Sequence, residues 1–205
     1  MFFQYSATEV NYLKSRDKRL AYVIDKIGHI NRTLDDDLFS SIIHHIIAQQ
    51  ISAKAEVTIW GRLRDLCGDI NPSNIHKLSW QDLRNIGIGN RKSEYIKLFA
   101  RKIIDEEYDL QSIPKMEDEE AIRRLTEIKG IGRWTAEMIL LFCLQRSNIL
   151  SFDDHGIRRG MCMTFKLDSI NRSTFENYRK KFSPYNSVAS LYFWEVNAGA
   201  ISELA

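Results

Sequence analysis

Two short stretches of this chain hold residue types whose spacing could do chemistry. In LTEIKGIGRWTAEMILLFCL, Gly130 and Gly132 flank an apolar Ile131, and a helix begins near Arg133. Glycine at both turn positions permits positive φ and lets another molecule come close to the main chain. The N–H groups that open the following helix then point outward, where the helix dipole favours a phosphate, and Lys129 and Arg133 add positive charge. Taken alone, such a turn is more often a tight connection with Ile131 packed inward. The second stretch is SFDDHGIRRG, Ser151–Gly160. An N-cap accounts for Asp153 or for Asp154, but less naturally for both, which leaves one carboxylate for other work.

These residues must be positioned by helices. Asp35–Asp37 offer N-cap and first-turn carboxylates before Leu38, Phe39, Ile42, Ile43, Ile46 and Ile47, an apolar series at helical spacing. The series runs on to Leu66, with Gln49–Ser52 as a possible interruption and Gly68 and Pro72 as the stop. Ser79 and Asp82 have capping-box spacing ahead of Leu83 and Ile86, and Gly87-Ile88-Gly89 ends that helix. Tyr95, Ile96, Leu98, Phe99, Ile103 and Ile104 mark the next one, closed by Pro114; Glu117–Glu120 open another. No convincing strand-period segment occurs, so the fold class expected is all-α. The sequence around Leu83–Gly89 echoes that around Leu125–Gly132, which suggests one hairpin device used twice.

Composition bounds the function classes. The 205 residues are 44% hydrophobic and 27% charged, ordinary globular proportions that exclude disordered and collagen-like chains. Only 10 Gly and 3 Pro favour long helices over a turn-rich sandwich. A net charge of +2 is too balanced for a polycationic partner surface but allows a local basic stripe, with Arg91-Lys92, Arg123-Arg124, Arg158-Arg159 and Arg179-Lys180-Lys181 as its candidates. Cys67, Cys143 and Cys162 form no CxxC pair and leave an odd count, so neither a disulfide framework nor a four-cysteine zinc or iron–sulfur site is expected. His44 and His45 are helix neighbours pointing about 100° apart without a third ligand in register, so no zinc is expected there either. The start MFFQYSATEV does not read as a secretory signal, and no run reaches the roughly 18 apolar residues of a membrane span. A soluble cytoplasmic protein is the expectation, nucleoid-associated if bacterial, with no membrane partner.

With these residues in view, the chain resembles the helix-hairpin-helix DNA glycosylase superfamily, whose signature is Leu-x-x-Ile-x-Gly-Ile-Gly followed by a helix, a loop and one essential Asp. The likeness covers most of the chain: IIHHIIAQQIS, LRNIGIGNRKSEYI, LTEIKGIGRWTAEMILL, SFDDHGIRR and PYNSVASLYFWEVNAG stand in the family's order. It is greatest for the alkylated-base branch, the 3-methyladenine DNA glycosylase II type, in which the hairpin reads Gly-Ile-Gly-Arg-Trp-Thr-Ala and the acidic loop Asp-Asp. The extra N-terminal β-rich domain of some longer members is not seen, so a compact enzyme is expected.

The resemblance implies roles residue by residue. Asp154 is the catalytic carboxylate and Asp153 the cap. A fixed carboxylate stabilises the oxocarbenium-like charge that builds on the sugar and orients or deprotonates water. Ring-alkylated purines already carry positive charge and leave without a general acid. Strand-cutting branches carry a nucleophilic Lys after the hairpin Arg; here Trp134 stands there, and neither Lys129 nor Lys92 matches, so no lyase activity is implied. Trp134 and Trp194 become pocket walls for a cationic flipped base, and His155 either lines the pocket or faces solvent. Lys129, Gly130, Ile131, Gly132 and Arg133 face DNA. Gln50, or alternatively Ile51, plugs the duplex. A Na⁺ or K⁺ sits on the main-chain carbonyls of Thr126, Ile128 and Gly130, and no other cofactor is required.

The architecture implied is a two-lobed helical bundle carrying the hairpin, with an inter-lobe active-site cleft. One lobe is expected from residues 1–73 plus 156–205 and the other from 74–155. The function implied is removal of alkylated purines from double-stranded DNA by a monomeric enzyme of base excision repair. Two alternatives stay open: a relative acting on an oxidised or mismatched base, and a noncatalytic hairpin module that binds DNA.

Overall fold

Local capping chemistry starts most of the helices. In the computed structural model, which describes residues 1–35 and 37–204, the helices are α1 (Ala7–Arg16), α2 (Lys18–Ile27), α3 (Leu38–Ala48), α4 (Ala53–Cys67), α5 (Pro72–Lys77), α6 (Trp80–Asn85) and α7 (Asn90–Ile104). There follow α8 (Asp118–Thr126), α9 (Arg133–Phe142), α10 (His155–Phe165), α11 (Arg172–Phe182) and α12 (Asn186–Asn197). Among the described residues the extended structure is one isolated antiparallel bridge between Phe2 and Thr33, so the fold is all-α as expected. The Ser79–Asp82 capping box forms. Of the Asp35–Asp37 run, Asp37 is the N-cap of α3, accepting from the Ser40 N–H at 2.8 Å, whereas Asp35 accepts from the Ser41 hydroxyl; Asp36 lies outside the described residues. The apolar series from Leu38 is two helices, because Gln50 takes φ +56° and Ser52 caps α4 afresh.

The chain divides into two compact units, residues 1–34 with 145–205, and residues 35–144. The boundaries expected at 73/74 and 155/156 therefore lie at 34/35 and 144/145. Packing is the reason: α3 buries Phe39, Ile42, Ile43, Ile46 and Ile47 and packs on α7 and α9, and α4 packs on α3, so both helices belong with the middle of the chain. Phe39 stacks on Phe99 of α7 with ring centroids 5.2 Å apart. In this unit α6–α7 and α8–α9 are successive helix pairs joined at glycine turns.

In the other unit α12 is the central element, packed by α10, α2, α1 and α11. It buries apolar Val188, Leu191, Tyr192, Phe193 and Val196, and each such side chain removed from water stabilises the fold by about 1.5–3 kcal/mol. Two of its buried polar residues, Ser187 and Ser190, are hydrogen-bonded. Ser187 Oγ accepts from the Ile149 N–H at 2.9 Å and Ser190 Oγ donates to the Ile149 carbonyl at 2.9 Å, which stitches residues 146–150 to the first turns of α12. That segment leads directly into Asp153 and Asp154. Helix α10 approaches α12 so closely that a Cβ on Gly160 would lie 2.0 Å from the Phe193 carbonyl oxygen. No helix among the described residues is long and apolar enough to cross a membrane.

Two glycine replacements should therefore act in opposite directions. Gly160→Ala meets backbone and is expected to cost about 3 kcal/mol or more in a urea or thermal unfolding measurement. Gly61→Ala, inside α4 with open space around the new Cβ, should instead stabilise by about 0.5–1 kcal/mol through helix propensity.

Candidate active site and nucleic-acid interface

Asp154 is 8% exposed and caps α10. Its Oδ1 accepts the Ile157 N–H at 2.8 Å and the Trp194 indole N–H at 3.0 Å. Burying a carboxylate is costly unless donors replace water, and two donors together with the positive end of the α10 dipole do so here. Gly156 makes room for the arrangement, since a Cβ there would stand 3.0 Å from Trp194 Cδ1 and 3.3 Å from the Asp154 carboxylate.

This geometry corrects the division of labour expected for the acidic pair. Asp153 is not the cap: it is exposed, 3.7 Å from Arg172, beside a Phe152 ring flanked by the Arg172 and Arg158 guanidinium groups at 4.4 and 5.1 Å. An N-cap side chain must reach the N–H two or three residues on, and α10 begins at His155, so only Asp154 has that reach. Capping and the candidate chemistry thus fall on one carboxylate. Trp194, nominated as a wall, is half-buried and also holds Asp154; His155 is exposed on the first turn of α10.

The nominated hairpin residues lie in the unit of residues 35–144. Gly130 takes φ +96°, and a Cβ on it would meet the Tyr95 ring at 2.4 Å. Ile131 is 5% exposed and its N–H donates to the Ile128 carbonyl at 2.9 Å. Its side chain is core, and its amide is already used within the turn, which corrects its nomination as a residue facing DNA. Gly132 is the N-cap of α9 and has no side chain to cap the first turn. Lys129 pairs with Glu94 at 2.6 Å; Arg133 pairs with Glu119 at 2.6 Å and Glu137 at 3.1 Å. The Lys129–Glu94 and Arg133–Glu119 pairs are exposed and therefore weak, whereas Glu137 is buried. Trp134, next along α9, is 41% exposed.

Of the carbonyls nominated for a cation, that of Gly130 accepts from Gln49 Nε2 at 2.8 Å and that of Ile128 from Ile131. A carbonyl oxygen has two lone pairs, so each of these two can accept a second partner. His44 and His45 both approach the Asp35 carboxylate at 3.8 Å; His44 also stacks on Trp60 with ring centroids 4.5 Å apart and reaches Glu56 at 3.0 Å, while His45 bonds the Ser41 carbonyl at 2.9 Å.

The first glycine turn repeats the second. Gly87 takes φ +102°, Ile88 is 2% exposed, and Gly89 caps α7 with no side-chain bond. Beside it lies a groove of about 510 Å³ lined in part by Gln49, Gln50, Ile51, Asn90, Arg91 and Lys92. Gln50 is exposed at its edge and Ile51 half-buried. Sequence reasoning passed over Gln49 as a partner of the hairpin, and Tyr95 as the ring beneath it; neither has a signal beyond position in an unremarkable helix or loop. Lys92, a candidate for the basic stripe that does not match the nucleophile position, donates from Nζ to the Ile47 carbonyl at 2.7 Å and to that of Gln49. Burial holds its pKa below the ordinary lysine value. Among the other basic clusters, Arg179 bonds the Leu150 carbonyl at 2.7 Å and Lys181 pairs with Asp17.

A family model described as HhH-GPD superfamily base excision DNA repair protein matches residues 43–184. A relative from Bacillus subtilis, provisionally named a DNA-3-methyladenine glycosylase, is 31% identical over 78% of this chain, which spans 59% of that relative's length. The crystal structure of a DNA-3-methyladenine glycosidase from Bacillus halodurans matches with a TM-score of 0.84 at 32% identity, covering 96% of this chain and 92% of that one. A Schizosaccharomyces pombe 3-methyladenine DNA glycosylase in complex with abasic DNA matches with a TM-score of 0.78 at 25% identity, covering 92% and 95%.

The two glycines of the second hairpin should differ in tolerance. Gly130→Ala combines positive φ with a clash on Tyr95 and is expected to cost about 2 kcal/mol or more. Gly132→Ala, at φ −91° with nothing within 4 Å of the new Cβ, should shift the unfolding midpoint little.

Proposed function

The chain belongs to the HhH-GPD superfamily of base excision DNA repair proteins, and we propose that within it the protein is a monofunctional DNA glycosylase removing alkylated purines of the 3-methyladenine type from double-stranded DNA. The observation that carries the proposal is Asp154, nearly buried and fixed by a backbone N–H and an indole N–H. A carboxylate that cannot rotate away is preorganised to face the positive charge that develops on a flipped deoxyribose. The N-glycosidic bond breaks with its electron pair leaving on the base, which neutralises the cationic purine. Water adds at C1′ and gives up a proton, leaving an abasic site. The names of the relatives from Bacillus halodurans and Schizosaccharomyces pombe support the substrate class.

Indole faces select for cations, which favours Trp194, bonded to Asp154, as a contact of the charged base, with His155 as a further one. Lys129, Arg133 and the N–H groups that open α9 are proposed to bind the phosphate backbone through main chain and charge. Na⁺ or K⁺ on the carbonyls of Thr126, Ile128 and Gly130 would add positive charge to that contact. Absence of lyase chemistry is supported by Trp134 following Arg133, and by Lys92 and Lys129 both being engaged with partners. In this reading the enzyme acts as a monomer on genomic DNA, in the cytoplasm if the cell is bacterial.

Asp154→Asn tests the core of the proposal, because Asn caps helices as well as Asp does and keeps an oxygen for Ile157 and Trp194. Base release from methylated duplex, followed by chromatography, should fall by about 10²–10³, with binding to an abasic-site analogue kept; retained turnover would refute the assignment. Lys129→Ala and Arg133→Ala should each weaken duplex binding across sequences and reduce the salt slope by about 1.

A further inference from the structure

Gln50 stands at the tip of the 49–52 loop with φ +56°, exposed at the edge of the groove. A non-glycine residue keeps that conformation only where its surroundings over-determine it. Two side chains do so from opposite sides. Lys92, on the first turn of α7, sends its ammonium to the carbonyls of Ile47 and Gln49, at the end of α3 where no further helical turn supplies donors. A cation is also the charge that a helix C-terminus favours. Gln49 reaches the other way, its Nε2 donating to the Gly130 carbonyl at 2.8 Å. The loop is thus tied to the first glycine hairpin by an ammonium and to the second by an amide.

We infer that Lys92 and Gln49 are positioning residues that hold the Gln50 tip rigid for insertion where a base leaves the duplex stack. The inference rests on the glycosylase reading proposed above. A plug that enters stacked DNA must offset the cost of unstacking and unpairing, and a tip already ordered does not have to be ordered at that moment. The clamp also sets the tip in register with the Gly130 turn, since one amide spans loop and hairpin. Lys92 touches neither sugar nor base in this role and acts only through the loop.

The test compares two substrates for the full chain, each carrying one 7-methylguanine with a neighbouring 2-aminopurine, one fully paired and one with the lesion inside a mispaired bubble. Extrusion costs least where the base is already unpaired. Lys92→Met should therefore lower single-turnover release from the paired duplex at least about tenfold more than release from the bubble, and suppress the 2-aminopurine fluorescence rise that reports unstacking. Lys92→Arg, which still offers N–H donors to both carbonyls, should recover both signals. Equal losses on the two substrates, an intact fluorescence rise, or wild-type behaviour of Lys92→Met would each overturn the inference. If Lys92→Met does not fold, Gln49→Leu cuts the clamp at its other end and must show the same paired-over-bubble loss. Wild-type protein that releases no methylated base from either substrate sinks the glycosylase reading itself, and the clamp's role with it.

Discussion

One oxygen atom organises the acidic site. Asp154 Oδ1 accepts the N–H that would otherwise be orphaned at the start of α10 and the indole N–H of a residue 40 positions later on α12. A buried carboxylate needs such donors, and meeting the need constrains two helices at once. Helix α12 must present Trp194 at one height, and α10 must begin at His155. The remaining contacts serve that constraint: Gly156 clears space for the indole, Gly160 lets the helices touch backbone to backbone, and Ser187 and Ser190 fasten the segment leading into the acidic pair. The charge is immobile because moving it breaks a cap and an inter-helix bond together.

The middle unit uses one device twice. In each copy a glycine with positive φ ends a short helix, a buried isoleucine anchors the turn, and a second glycine opens the next helix with its first N–H groups uncapped by any side chain. The copies differ in what surrounds them. Around the second, Lys129 and Arg133 are paired with exposed Glu94 and Glu119, and Arg133 also with buried Glu137. Around the first, Lys92 has turned inward to a helix end. Similar sequences thus carry surface charge in one copy and an internal brace in the other.

Capping signals, glycine stops and apolar residues at helical spacing made α3, α4 and α6–α9 legible from the chain alone, since these signals act over three or four residues, whereas α1, α2, α5 and α11 went unread. The glycine hairpins were legible for the same reason, and the resemblance carried by the motifs around them pointed to the family. What composition and spacing could not apportion was choice between equivalent neighbours. Asp153 and Asp154 are the same residue type one position apart, and only the place where α10 starts, with Trp194 arriving from α12, decides that Asp154 is the cap and holds the indole. Ile131 inside a glycine turn reads as contact or core, and only the folded structure shows it buried. The unit boundaries moved because α3 buries its apolar face on α7 and α9, a pairing no local pattern encodes. The roles of Lys92 and Gln49 depend on carbonyls 45 and 81 residues away, respectively, at Ile47 and Gly130. Short-range hydrogen bonding and periodicity are written in adjacent letters, whereas a bond between distant segments exists only once packing has brought both ends together.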